Sequence, residues 1–197
     1  MVYEFETFDD ALKNRISFRR VKFEKDAELL HKWMNEEHVI PFWKLDGPRE
    51  IYYKHLEKAL SDSHQTLYIG CINDKPMSYW EAYWVKGDVV ENAYPSVPFD
   101  QGIHLLIGEK EDLGKGYSLP LLKAMVRHQF QEPDTEKVIA EPDIRNKKMI
   151  HVFEKCGFRA IQPIELPDKT ALLMFCTKDE FHRRWSYLDK ERAKAHL

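Results

Sequence analysis

The chain has 197 residues, enough for one substantial core and too few for two ordinary domains. With 30 Lys and Arg against 33 Asp and Glu, its formal charge is -3, so no global field draws it to nucleic acid or anionic lipid. Hydrophobic residues make up 43% and charged residues 32%, the balance of a well-solvated globular protein, and no apolar run reaches the length of a membrane span.

The opening MVYEFETFDD is acidic, without the basic and apolar regions of a secretory leader, and is expected to form an extension over residues 1–16. A short strand is predicted at 17–21. Asp26 then stands where a helix cap belongs, ahead of Ala27, Leu30, Trp33 and Met34 at helical spacing. The stretch 41–48, PFWKLDGP, reads as a loop, and residues 49–60 as a second helix. Strands at Gln65–Ile72 and 77–85 are joined by Asn73-Asp74-Lys75-Pro76, which has hairpin-turn chemistry.

Residues 86–100 read as an exposed excursion carrying proline and glycine. A strand at 102–107 leads through a glycine turn into a helix ending near Phe130. A strand at 137–141, a helix at 146–155 and strands at 158–165 and 171–176 follow. Thr177 with Glu180 makes a capping box that opens a last helix, running into a charged tail at 188–197. Hairpin strands followed by alternating strands and helices imply one α/β domain over 1–197, with a sheet partly antiparallel and partly parallel.

Three cysteines, Cys71, Cys156 and Cys176, lie far apart inside apolar runs, so reduced buried thiols and a cytoplasmic setting are expected. Nine histidines include no HExxH and no pairing with cysteine, so no metal is expected.

The segment LLIGEKEDLGKGYSLPLLKAM runs from strand to helix through Gly114-Lys115-Gly116. Glycines there let a ligand approach the backbone, and the free N–H groups of a first helical turn form an anion site suited to a pyrophosphate. Pro120 falls in that first turn, where proline is tolerated. The turn lacks both the GK[ST] ending of a P-loop and the GxGxxG pattern. It resembles the acyl-CoA loop of the GNAT superfamily of N-acetyltransferases, with Glu111 where Arg or Gln is usual. NKKMIHVFEKCGF, some forty residues on, resembles that superfamily's second signature, with Gly157 as helix cap and Phe158 as core anchor.

The resemblance implies a GNAT fold: a mixed, mostly antiparallel central sheet flanked by helices, with one parallel strand pair splayed at the acyl-CoA site. It implies acetyl-CoA, or another acyl-CoA, as co-substrate, contacted by Leu106, Ile107, Leu113, Gly114, Lys115, Gly116, Tyr117, Ser118 and Asn146. Phe153 stands where many of these enzymes carry a tyrosine that protonates the leaving thiolate, and Tyr117 and Tyr83 are candidate substitutes.

HKWMNEEHVIPFW, PMSYWEAYWVKGD, QGIHLLIG and EPDIRN resemble one branch, the acyltransferases of siderophore biosynthesis acting on N-hydroxylysine or lysine. The resemblance implies catalytic roles for His104 and Asp143. His104 points away from the face of Ile103, Leu105 and Ile107, and Asp143 lies just past a strand end, so both reach one cleft if those strands are neighbours. Glu81 shares strand parity with Tyr79 and Tyr83, a face suited to an amine or ammonium group. The implied acceptor is an N-hydroxylated diamine or N-hydroxylysine, giving a hydroxamate for a siderophore. An aminoglycoside 6'-type or general amine acetyltransferase and a non-catalytic acyl-CoA-binding domain are the competing readings. Whether the donor is CoA or an acyl carrier protein, and the oligomeric state, stay open at this point.

Overall fold

The computed structural model describes residues 2–194, with side chains as far as Ser186. These residues form eight strands: β1 (Phe5–Asp9), β2 (Asn14–Arg20), β3 (Gln65–Ile72), β4 (Lys75–Trp84), β5 (Gln101–Ile107), β6 (Lys137–Ala140), β7 (Arg159–Leu166) and β8 (Lys169–Thr177). They make one sheet in the order β1-β2-β3-β4-β5-β6-β8-β7. Every neighbouring pair is antiparallel except β5 with β6. The helices are α1 (Phe23–Met34), α2 (Ile40–Trp43), α3 (Arg49–Ser61), α4 (Ser118–Gln129), α5 (Lys147–Cys156) and α6 (Lys178–Lys194).

Strand alternation sorts the side chains into two apolar layers. Trp80 and Leu105 pack with Leu122 of α4 and Phe153 of α5 on one face. Tyr79 and Leu106 pack with Leu30 and Trp33 of α1 and Leu56 of α3 on the other. The β3–β4 hairpin turns on Asn73 and Asp74, both left-handed at φ 48° and 68°, the pairing whose twist matches that of the strands.

Four expectations need correction. The 1–16 extension contains β1 and the start of β2; the short, half-exposed FETFD strand is too acidic to stand out as a strand. Asp26 does not occupy the cap of α1, because the helix starts earlier and extended Lys22 takes that position. The Asp26 carboxylate reaches back to the Lys22 N–H at 2.9 Å and is gripped by Arg19 through two 2.7 Å bonds in the core. The 41–48 loop opens with α2, a single turn with Pro41 near its start. The 86–100 excursion holds a 3-10 turn at Val89–Ala93, capped by Asp88, that buries Val90.

The Thr177–Glu180 capping box forms as expected, with the Thr177 hydroxyl 2.8 Å from the Glu180 carboxylate. The expected tail from 188 begins as part of α6, and residues 195–197 lie outside the described part.

The pairing of β5 with β6 positions the site. It extends over only Gln101↔Val138 and Gly102↔Ile139, after which the two strands separate. α4 and α5 pack side by side against that region.

Candidate active site

His104 lies two residues beyond the last paired position of β5, and Glu141 two residues beyond that of β6. Equal offsets from a register pair put both side chains on the same face of the sheet. Glu81 is the cross-strand partner of His104 on β4, so it shares that face too. The result is a carboxylate–imidazole–carboxylate cluster. Nδ1 of His104 donates to Glu81 Oε2 at 2.9 Å, and Nε2 is hydrogen-bonded to Glu141 Oε1. Each carboxylate has a phenol behind it: the Tyr79 O–H donates to Glu81 and the Tyr83 O–H to Glu141, both at 2.8 Å.

Burial works against a charged imidazole, but Glu141 and then Glu81 outweigh it and raise the His104 pKa well above its ordinary 6.5. Burial likewise opposes ionisation of Glu141, and His104, then Lys169 at 3.8 Å, overcome it and lower its pKa. Glu81 is lowered in the same way, against burial, chiefly by His104. The cluster therefore rests as an imidazolium between two carboxylates. An imidazole at its ordinary pKa, acting alone as base, does not fit this arrangement. One third of the His104 side chain remains accessible, through a cavity of about 250 Å³. Trp43 of α2 stands edge-on to His104 and covers Tyr79, forming one wall.

Asp143 lines the same cavity, as expected, but it does not bond to His104. Its carboxylate is enclosed by Arg145, which donates from its backbone N–H at 2.8 Å and from its guanidinium at 2.6 Å. The Arg145 guanidinium, acting against desolvation, lowers its pKa to about 2. The residue beside the imidazole is Glu141, which the sequence did not single out. Its strand parity with Ile139 carries that signal, but reading it requires knowing which β5 residue pairs with Ile139.

The glycine turn lies past the other end of β5. Gly114 and Gly116 are left-handed at φ 74° and 80°, with nothing within 4 Å of where a Cβ would stand. No acceptor among the described residues takes the N–H groups of Gly114 through Leu119; the first backbone bond into α4 is Leu121 to Tyr117. Asp112, buried beneath the turn, holds Lys75 at 3.0 Å and Lys115 at 3.2 Å. These open donors at a helix start fit a diphosphate.

Asn146 caps α5, its Oδ1 accepting from the Met149 N–H at 3.2 Å, and it lines the cavity. Flanking β5, the Asp100 carbonyl accepts from the Val85 N–H and the Gly108 N–H donates to the Met77 carbonyl of β4, which turns the even-numbered backbone groups of β5 toward β4. Backbone groups of Leu105 and Ile107 therefore face the gap between the parted strands, whereas those of Leu106 do not. Phe153 is buried against Phe158 at the cavity wall and offers no hydroxyl. The Tyr83 hydroxyl is engaged by Glu141. All three cysteines are buried, and burial pushes the thiols up, to about 11 for Cys71 and about 12 for Cys176.

The acetyltransferase (GNAT) domain family model matches residues 22–166. The chain belongs to the GNAT acetyltransferase family. Within that family it is 31% identical to the N(6)-hydroxylysine O-acetyltransferase of Escherichia coli, over 90% of this chain and 56% of the relative. It thus spans little more than half that relative's length. It is 34% identical to the N-hydroxyputrescine acetyltransferase of Acinetobacter baumannii, covering 91% of this chain and 86% of the relative. A crystal structure of an uncharacterised Bacillus halodurans protein superposes with TM-score 0.90 at 56% identity, over 92% of this chain and 94% of that one. An aminoglycoside acetyltransferase AAC(6')-Ib solved with paromomycin and acetyl-CoA gives TM-score 0.78 at 26% identity, over 85% and 96%. The GNAT fold expected from the sequence, with its one parallel pair parted at the site, is the fold observed.

Proposed function

We propose that this GNAT protein transfers an acetyl or other acyl group from acyl-CoA to the nitrogen of an N-hydroxylated diamine or N-hydroxylysine. The product is a hydroxamate for siderophore biosynthesis in the cytoplasm. The observation that carries the reading is the Glu81–His104–Glu141 cluster standing in the gap between β5 and β6. The two relatives named for hydroxylated amines support the choice of acceptor. The glycine turn supports CoA as donor, since its row of open N–H groups suits a diphosphate and a carrier protein's prosthetic arm has only a single phosphate ester.

A hydroxylamine nitrogen is weakly basic and largely neutral near pH 7, so it attacks the thioester carbonyl without prior deprotonation. A C–N bond forms, the C–S bond breaks, and the nitrogen sheds one proton while the thiolate gains one. Because both His104 nitrogens face carboxylates, the proton shed by the nitrogen enters the cluster at a carboxylate, the imidazolium offsets the negative charge there, and the thiolate takes its proton from solvent as CoA leaves. The N–H groups of β5 that face the gap polarise the thioester carbonyl, and alignment of the two substrates in one cleft supplies much of the acceleration.

The test follows free thiol release from acetyl-CoA with N-hydroxycadaverine, N-hydroxylysine, their unhydroxylated parents and an aminoglycoside. Higher kcat/KM for the hydroxylated acceptors is the expected result. Equal or better acylation of plain amines replaces the reading with a general amine acetyltransferase. CoA binding without transfer to any amine leaves a non-catalytic domain.

A further inference from the structure

Acidic side chains dominate the cavity around His104, and all but one of them are engaged. Glu81 is bonded by His104 and Tyr79, Glu141 by His104 and Tyr83, and Asp143 by Arg145. This removes Glu81, whose face the sequence offered for an ammonium group, and Asp143 with it. The remaining one is Asp168, an exposed residue in the turn between β7 and β8 that lines the same cavity. Its carboxylate has no hydrogen-bond or ion-pair partner among the described residues, although its backbone is fixed: the Lys44 ammonium donates to the Asp168 carbonyl.

The cations at the cavity mouth present the opposite picture. Lys44 is bound to that carbonyl, Arg145 encloses Asp143, and Lys169 lies 3.8 Å from buried Glu141. An incoming substrate thus meets an unengaged Asp168 carboxylate, while these Lys and Arg side chains are all engaged and His55, also in the lining, stacks on Tyr52. Lys44 also ties the chain just past α2 to the hairpin, so Trp43 and Asp168 are held at one cavity.

We infer that Asp168 is a specificity-determining residue that binds the distal ammonium of a linear diamine, so that this site selects an N-hydroxylated diamine over an amino acid. The inference rests on the proposed function and narrows its acceptor. Asp168 does not take part in the chemistry: it fixes the far end of the acceptor while the near nitrogen meets the cluster at His104. A carboxylate near that far end, as in N-hydroxylysine, meets like charge from Asp168, and Lys44, Arg145 and Lys169 are already engaged.

The test compares four acceptors of equal chain length, each assayed with wild type and Asp168→Asn. They are an N-hydroxydiamine, an N-hydroxymonoamine ending in methyl, and the unhydroxylated parent of each. Wild type should favour diamine over monoamine, and Asp168→Asn should cut that preference about fivefold, the scale of an exposed ion pair. The loss should appear in KM, with kcat and monoamine kinetics unchanged; Asp168→Glu should restore part of it. A diamine preference that survives Asp168→Asn, or equal losses on diamine and monoamine, overturns the assignment. Wild type favouring the plain pair over the hydroxylated pair refutes the hydroxamate reading instead, and the diamine-to-monoamine ratio still tests Asp168. Acylation of none of the four overturns both.

Discussion

His104 and Glu141 face each other across the point where β5 and β6 part, each two residues past the last register pair of its own strand. The pairing depends on the opening. Farther back the strands are bound to each other, while farther forward the gap widens toward the glycine turn. With Glu81 on the neighbouring strand, the imidazole is held from both sides, and its charge state follows from that enclosure.

The first prediction is that His104 stays protonated through neutral pH. Burial lowers its affinity for a proton, but the two carboxylates prevail and the folded pKa lies above 6.5. Imidazole NMR, assigned by loss of the signal in His104→Asn, should show no titration between pH 6 and 8. Titration near 6.5 removes the imidazolium from the mechanism. The stability contribution of His104 is therefore complete below pH 6.5 and lost as pH rises through the raised folded value. Glu141 behaves in the opposite sense: its contribution is present above 4.5 and lost as pH falls through its lowered value.

The second prediction concerns rate. His104→Ala should lower kcat by about two to four orders of magnitude, the usual contribution of a proton-transfer group. Glu141→Gln leaves the ring with one carboxylate and should cost roughly a hundredfold within that same range. It should also move the His104 titration down toward neutrality. KM for acetyl-CoA should change little in either variant, because neither residue belongs to the glycine turn whose N–H groups suit the diphosphate. An unchanged kcat in His104→Ala returns the residue to a structural role. The three cysteines are buried and hard to ionise, so no acyl-enzyme should be trapped.

The sequence revealed elements whose signals are local. Asn73-Asp74 announced its hairpin, Gly114-Lys115-Gly116 its turn, and Thr177 with Glu180 its capping box, because each signal lies within a few residues of its consequence. His104 was legible from parity on its own strand. Glu141 was not, since its role depends on how two strands more than thirty residues apart align. Asp143 carried the better sequence signal, and only the Arg145 side chain enclosing it shows that its carboxylate is already engaged. Asp168 is one acidic residue in a polar hairpin turn, and nothing local distinguishes it from a solvated surface charge.

A third prediction tests the glycine turn. Gly116 is left-handed at φ 80°, and no atom lies within 4 Å of the position a Cβ would take, so a side chain there has space but a strained backbone. Gly116→Val should leave the melting temperature within a few degrees of wild type, because the turn is an exposed segment. The branched side chain should pull the backbone out of the left-handed region, at a cost of about 1–2 kcal/mol, and misalign the N–H groups. CoA affinity measured by calorimetry should fall about tenfold or more, the equivalent of that cost. Full affinity in this variant means that the diphosphate binds elsewhere.

The last prediction separates the support of the cluster from its chemistry. Tyr83 lies across Gly102, and a Cβ at position 102 would overlap the Tyr83 ring. Tyr83 in turn packs at 4.9 Å from the His104 ring and donates its hydroxyl to Glu141. Gly102→Ala must therefore displace a buried aromatic ring, an overpacking change that costs about 1–3 kcal/mol and lowers the melting temperature. It should also reduce kcat, because the ring that moves is the one holding Glu141 in place. Tyr83→Phe keeps the ring and removes only the O–H···Glu141 bond. Its stability cost should be smaller, about 1 kcal/mol, and its His104 titration should stay above neutrality because the imidazole still has both carboxylates. If Gly102→Ala matches wild type in both stability and kcat, the close packing of Tyr83 over β5 is not what positions Glu141. Thermal melts and steady-state kinetics on the two variants decide the point together.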